Sequence, residues 1–222
     1  MSDSQAHAIA ASPLQHHFAD MEQQRETATL GMWVFLITEV MFFGGLFTAY
    51  LVYRTANPRA WEVGSEHMDF WLGTINTVLL LCSSFTMAMA VWASQRGRRQ
   101  LIVLFLAITM LFGIGFECLK GLEYYRHFVE GSVPGPYWHL AVRDASHVQM
   151  FFYLYFVITG LHALHLAIGI GVLAVIAWFA YRGHYSPQYH NPVHIAGLYW
   201  HFVDIVWIFL YPMLYLIAHT HG

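Results

Sequence analysis

The chain has 222 residues, of which 58% are hydrophobic, 17% aromatic and only 10% charged, whereas an ordinary soluble domain carries about a quarter charged residues. A formal net charge of −3 with 10 basic residues, scattered except for one cluster, argues against an electrostatic nucleic-acid binder. The 2 cysteines, Cys82 and Cys118, both lie inside apolar runs and read as packed thiols, not as a disulfide or a metal pair. With a mean hydropathy of +0.48, the composition is that of an integral membrane protein.

Residues 1–29 are polar, with His7, Pro13, His16, His17 and a mixed-charge run from Asp20 to Glu26. No short apolar core precedes a small-residue cleavage site, so the stretch reads as a retained tail and not as a signal peptide. Residues 30–53 are overwhelmingly apolar and carry one ionisable group, Glu39, near the middle. At about 1.5 Å of rise per residue this run crosses a hydrocarbon core of roughly 30 Å. The helical neighbours of Glu39 are Phe35, Leu36, Phe42 and Phe43, so nothing in its own helix can pair with it. Loss of hydration there favours the uncharged acid. Glu39 is expected either to hydrogen-bond a neighbouring helix for packing or to serve proton movement or a partner subunit.

Residues 54–69, with Pro58 and several charges, read as a loop, and residues 70–93 as a second crossing whose main polar side chain is Asn76. The short connection 94–100 holds Arg96, Arg98 and Arg99. Short arginine-rich loops stay on the cytoplasmic side, which puts the N-terminus inside and, after an odd number of crossings, the C-terminus outside. The third crossing, 101–122, ends in Glu117, Lys120 and Glu123, whose i, i+3, i+6 spacing reads as an interfacial ion-pair ladder.

The fourth crossing, 148–181, is too long for an upright span and must tilt or protrude. At about 100° per residue, His162, His165 and Gly169 share one face, and Ala163, Ala167 and Gly171 form a small-residue stripe on another. In the last crossing, 195–217, His201, Asp204, Ile208 and Tyr211 share a face, and Pro212 is expected to kink the helix. Glu39 and Asp204 fall at similar depths, each about nine residues into its span. The sequence therefore predicts an all-α membrane bundle of five transmembrane helices, with His162, His165, His201 and Asp204 as an intramembrane polar network.

The 15 histidines invite a metal or haem reading. Only His162, His165 and His201 lie deep in crossings, too few for two haems with paired histidine ligands, and His184, His190 and His194 have no companion cysteine for zinc. There is no nucleophile elbow, phosphate loop or HExxH motif. No catalytic residue, metal site or cofactor of its own is expected in this chain.

From Leu30 onward the chain resembles subunit III of haem-copper terminal oxidases. The segments that carry the likeness are GMWVFLITEVMFFGGLFTAY with Glu39, NTVLLLCSS from Asn76, ECLKGLEYY ending at Tyr125, TGLHALHLAIG with His162 and His165, and YWHFVDIVWIFLYPMLYLI with His201 and Asp204. The resemblance implies a helical bundle docked on catalytic subunit I and on subunit II, with haem and copper in the catalytic subunit and phospholipids bound to the bundle. It implies a bacterial inner-membrane location. It also implies that the carboxyl at Glu39 reacts with hydrophobic carbodiimides, and that the subunit supports proton uptake and protects its neighbour from inactivation during turnover. The family's long form has seven crossings and this chain lacks the first two, as in short bacterial forms associated with quinol oxidases, some cytochrome c oxidases and nitric oxide reductases. Where the long form carries a Gly-Ser pair at the approach to the fourth crossing, this chain reads Phe152-Tyr153. The lipid cleft that the missing crossings help to form is therefore altered here or completed by another subunit.

The leading expectation is an accessory subunit of a cytochrome c oxidase-type complex in aerobic electron transport. The alternatives are the corresponding component of a quinol oxidase or nitric oxide reductase, a separate proton-coupled transporter using Glu39, Asp204 and the histidines, and a single-haem membrane anchor.

Overall fold

The computed structural model describes residues 20–142, 144–185 and 189–216. The chain is all-α, with helices α1 (Met21–Ala56), α2 (Pro58–Glu66), α3 (Phe70–Gln95), α4 (Arg99–Val129), α5 (Ala145–Tyr181) and α6 (Asn191–Tyr215). All but α2 are long and apolar enough to cross a membrane.

Local capping sets boundaries that hydropathy does not. α1 starts at Met21 because the Asp20 carboxylate accepts the Gln23 amide at 2.7 Å, so the charged residues ahead of Leu30 are helical. Within the stretch expected to be a loop, Asn57 closes α1 and Pro58 opens α2, where a missing N–H leaves nothing unsatisfied. Asp69 caps α3 by accepting the Leu72 amide at 3.1 Å, and its other oxygen accepts from Arg126 Nη1 at 3.1 Å. Gly97, at φ 65°, makes the tight turn from α3 into α4.

Helices α3, α4, α5 and α6 form a closed four-helix ring, α3 on α4, α4 on α5, α5 on α6 and α6 back on α3. Close approach is built in at Gly113 of α4, where a Cβ would stand 2.9 Å from Trp200 Cη2. That space admits the Trp200 indole, whose Nε1 donates to Ser83 Oγ at 3.1 Å across to α3.

α1 lies outside this ring, against α5 and α6. Its buried residues are Leu36, Phe43 and Tyr50, a heptad spacing that makes one narrow seam. Glu39 and Leu46 fall at the alternate heptad position of the same seam. The opposite side of the helix is exposed, Met41 by 74%, as suits a surface meeting lipid.

The far end of α1 and the short α2 secure the end of α6. Pro212 cannot donate to the Ile208 carbonyl, and the turn beyond it is held from outside. Tyr50 Oη donates to the Met213 carbonyl and Ser65 Oγ to the Leu214 carbonyl, the latter at 3.1 Å. Trp61 of α2 is fully buried and packs edge-on against Tyr50 at 5.9 Å and Phe151 at 5.8 Å.

Removing either hydroxyl leaves a buried carbonyl without its donor. Tyr50→Phe and Ser65→Ala should each destabilise the fold by about 1 kcal/mol or somewhat more, read as a lower unfolding midpoint of the purified protein. Unchanged midpoints would show that the end of α6 is held by other contacts.

Candidate functional site

Two polar assemblies stand out. The first joins α1 to α5. His165 Nε2 lies 3.1 Å from Glu39 Oε2, with the side chains 15% and 18% exposed, and His165 Nδ1 lies 2.7 Å from the Leu161 carbonyl. A carbonyl only accepts, so Nδ1 carries a hydrogen. The contact to Glu39 then holds one proton, either on the carboxyl, donating to a neutral imidazole, or on the imidazole as an ion pair. Both arrangements are neutral overall, which lets them reside at the edge of hydrocarbon. Tyr199 Oη donates to the His165 carbonyl at 2.9 Å and the Phe43 ring packs edge-on against the imidazole at 5.3 Å, so all three helices of the seam position the pair.

The second assembly is inside the ring. Lys120 and Glu123, which the spacing suggested would face the headgroups, have side chains only 2% and 3% exposed. Lys120 Nζ donates to Glu123 Oε2 at 3.1 Å, to Tyr155 Oη at 3.1 Å and to Tyr215 Oη at 2.6 Å. Both phenols donate onward to Glu123 Oε1, at 2.7 and 2.6 Å. Every hydrogen of the ammonium has an acceptor and both carboxylate oxygens are filled, the condition under which a buried ion pair is tolerated. The Tyr155 and Trp207 rings lie 4.7 and 5.2 Å from Nζ. Beside this knot Tyr124 and Thr159 share a hydrogen bond of 2.6 Å. Glu117 lies close enough to Lys120 to feel its charge but forms no ion pair among the described residues, where its buried Oε1 has no hydrogen-bond partner.

The four residues read as one intramembrane network fall into two groups, His162 and His165 on α5, and His201 and Asp204 on α6 beside Ser84. No hydrogen bond among the described residues joins one of them to another. His162 points into the ring, 1% exposed, between Phe116 at 5.6 Å and Trp207 at 5.1 Å, while His165 turns out to α1. His201 bonds Ser84 of α3 at 2.7 Å, and Asp204 is buried on the same helix beside Ser84, its carboxyl oxygens without a hydrogen-bond partner among the described residues. Single-helix reasoning missed Tyr155, Tyr215, Tyr124, Thr159 and Ser84. Their spacing carries no signal, because a phenol or hydroxyl in a span is ordinary until its cross-helix neighbour is known.

Among the described residues no group of three or more His, Cys, Asp or Glu is placed to hold a metal ion. A groove of about 930 Å³ opens between the start of α1, the end of α5 and the start of α6. Met32, Phe35, Ile168 and Val172 form apolar walls, and Arg25 and Asn191 stand at its polar end.

The family model for cytochrome c oxidase subunit III matches residues 15–219. The chain is 32% identical over 217 residues to a cytochrome c oxidase subunit 3 of Thermostichus vulcanus, covering 97% of this chain and 96% of that one. It is 34% identical over 204 residues to a quinol oxidase subunit 3 of Bacillus subtilis, covering 90% and 93%. A probable quinol oxidase subunit 3 of Staphylococcus haemolyticus is 30% identical over 197 residues, covering 87% and 90%.

Breaking one side of the buried knot strands a charge. Glu123→Gln should destabilise the protein by about 3 kcal/mol or more, and Lys120→Met combined with Glu123→Gln should cost less than Glu123→Gln alone. Denaturant or thermal unfolding of the three forms checks the order, and a double variant worse than the single would mean that the ion pair is not the stabilised unit.

Proposed function

The chain belongs to the cytochrome c oxidase subunit III family, and from that membership we propose that it works as the accessory membrane subunit of a haem-copper terminal oxidase, leaving oxygen chemistry to its neighbours. On this reading the catalytic subunit I holds the haems and copper and subunit II completes the complex. The relatives carry both cytochrome c oxidase and quinol oxidase names, so the role assigned is the one both share. The chain supports proton supply to the catalytic subunit and its survival during turnover. The arginine turn at Arg96–Arg99 lies on the cytoplasmic side of a bacterial inner membrane and the C-terminus lies outside. A phospholipid occupies the groove beside α1, its chains against Met32, Phe35, Ile168 and Val172 and its headgroup towards Arg25.

The observation that carries this reading is the Glu39–His165 pair. It is a one-proton unit at the lipid-facing seam between α1 and the ring. A carboxyl at that seam is reachable from the bilayer, whereas Glu123 is enclosed by its partners. Such a pair holds one proton between α1 and α5 and fixes α1 to the ring.

Glu39→Gln keeps the shape and one hydrogen bond to His165 but removes the carboxyl group. In the complex reconstituted with this variant, assembly and initial oxygen reduction should stay within about twofold of the parent, since the barrier for the chemistry is set elsewhere. Protons moved per electron should fall, or inactivation during turnover should quicken. Immediate loss of all oxygen reduction in a fully assembled complex would contradict the accessory role. Purification of the active chain without haem-bearing partners would favour a self-sufficient proton transporter.

A further inference from the structure

At the end of the bundle where α3 meets α4 and α5 meets α6, four guanidiniums gather on two adjoining turns. Arg96 stacks over the Trp92 ring at 4.0 Å, with Arg98 5.9 Å from the same ring. Arg182 stacks over Trp178 at 4.8 Å, and Arg99 reaches across to the Tyr181 ring at 5.4 Å. Arg99 Nη1 is also 3.5 Å from where a Cβ at Gly183 would stand, which fixes the two turns side by side. None of the four forms an ion pair among the described residues. Asp20, Glu22 and Glu26, the acids at the start of α1, form no ion pair with these arginines among the described residues.

The aromatic rings decide what kind of anion fits. Trp92, Trp178 and Tyr181 are exposed on the outer sides of membrane-spanning helices, so the guanidiniums are held where headgroup meets hydrocarbon, not on a polar summit facing water. Stacking on a ring immobilises the guanidinium plane and leaves its N–H edge free for bidentate contact with phosphate. Below the charges, Val175 and Phe179 continue an exposed apolar track along α5.

We propose that Arg99 and Arg182 bind the phosphate of an anionic phospholipid, with its acyl chains along Val175, Trp178 and Phe179, and that Arg96 and Arg98 add to the positive charge at the same end of the bundle. The site is separate from the groove beside α1 and rests only on the chain spanning a bilayer, not on its role in an oxidase. Clustered basic side chains at the cytoplasmic end of helices attract anionic lipid with about 1 kcal/mol per charge, or about fivefold in affinity for each arginine.

Native mass spectrometry of the assembled complex, titrated with dioleoylphosphatidylglycerol or dioleoylphosphatidylcholine, reads this directly. The parent should retain phosphatidylglycerol in preference to phosphatidylcholine. Arg99→Gln and Arg182→Gln should each weaken that preference about fivefold, and the two together by more than tenfold. Arg99→Lys with Arg182→Lys should keep most of it, because the charge remains. Equal retention of the two lipids by the parent, or an unchanged preference in the double Gln variant, would overturn the proposal. Displacement of the lipid by millimolar inorganic phosphate would reduce the site to a simple anion site. Loss of a neighbouring subunit from the double Gln variant, with lipid preference intact, would assign the arginines to a protein partner. If the double variant does not assemble, either single substitution still gives the fivefold reading.

Discussion

A polar group inside hydrocarbon has no water to turn to, so its partners must come from the protein, and in this chain that requirement fixes which helices touch and where. Lys120 and Glu123 lie on α4, but their hydrogens and lone pairs are completed only by Tyr155 of α5 and Tyr215 of α6. Apolar side chains alone distinguish weakly between neighbouring registers, since lipid is as apolar as leucine. The five-bond knot has one geometry. Trp200 on Ser83, Trp207 on Thr77 and His201 on Ser84 then tie α6 to α3 along the remaining length of the ring.

α1 is held differently. Its seam is narrow, with Leu36, Phe43 and Tyr50 buried and Glu39 and Leu46 between them, and it has a polar contact at each of two levels, Glu39 on His165 and Tyr50 on the end of α6. A helix attached by so thin a line leaves room beside it, and the groove between α1, α5 and α6 is that room. The proposed accessory role follows from the same contrast. The charges that stabilise the ring are enclosed, and the proton-holding pair stands at the boundary with lipid.

Much of the fold was legible because hydropathy alone separates five apolar runs, and Arg96, Arg98 and Arg99 mark the tight turn between two of them. The start of α1 was not, since the polar residues that follow the Asp20 cap form a helix that hydropathy cannot distinguish from a tail. For α2 the signal was present in Asn57-Pro58, an ordinary opening for a helix. Sites were harder. A helical wheel groups His162 with His165, but α5 has α1 on one side and the interior of the ring on another, so a rotation of about 60° sends the two imidazoles to different neighbours. The i, i+3 spacing of Lys120 and Glu123 showed that they could pair and was silent on whether that face met headgroups or tyrosines. One-dimensional spacing fixes direction around a helix, and only packing fixes what lies in that direction.

Glu39 and His165 share one proton across the seam between α1 and the ring. Solid-state NMR of the protein in lipid bilayers, with carbon-13 glutamate and nitrogen-15 histidine, measures it. The account predicts a through-space correlation between the Glu39 carboxyl carbon and His165 Nε2, with His165 Nδ1 carrying its hydrogen, and loss of that correlation in His165→Gln. Absence of the correlation in the parent protein, or a His165 with its hydrogen on Nε2 alone and the Glu39 carboxyl facing lipid, would contradict it.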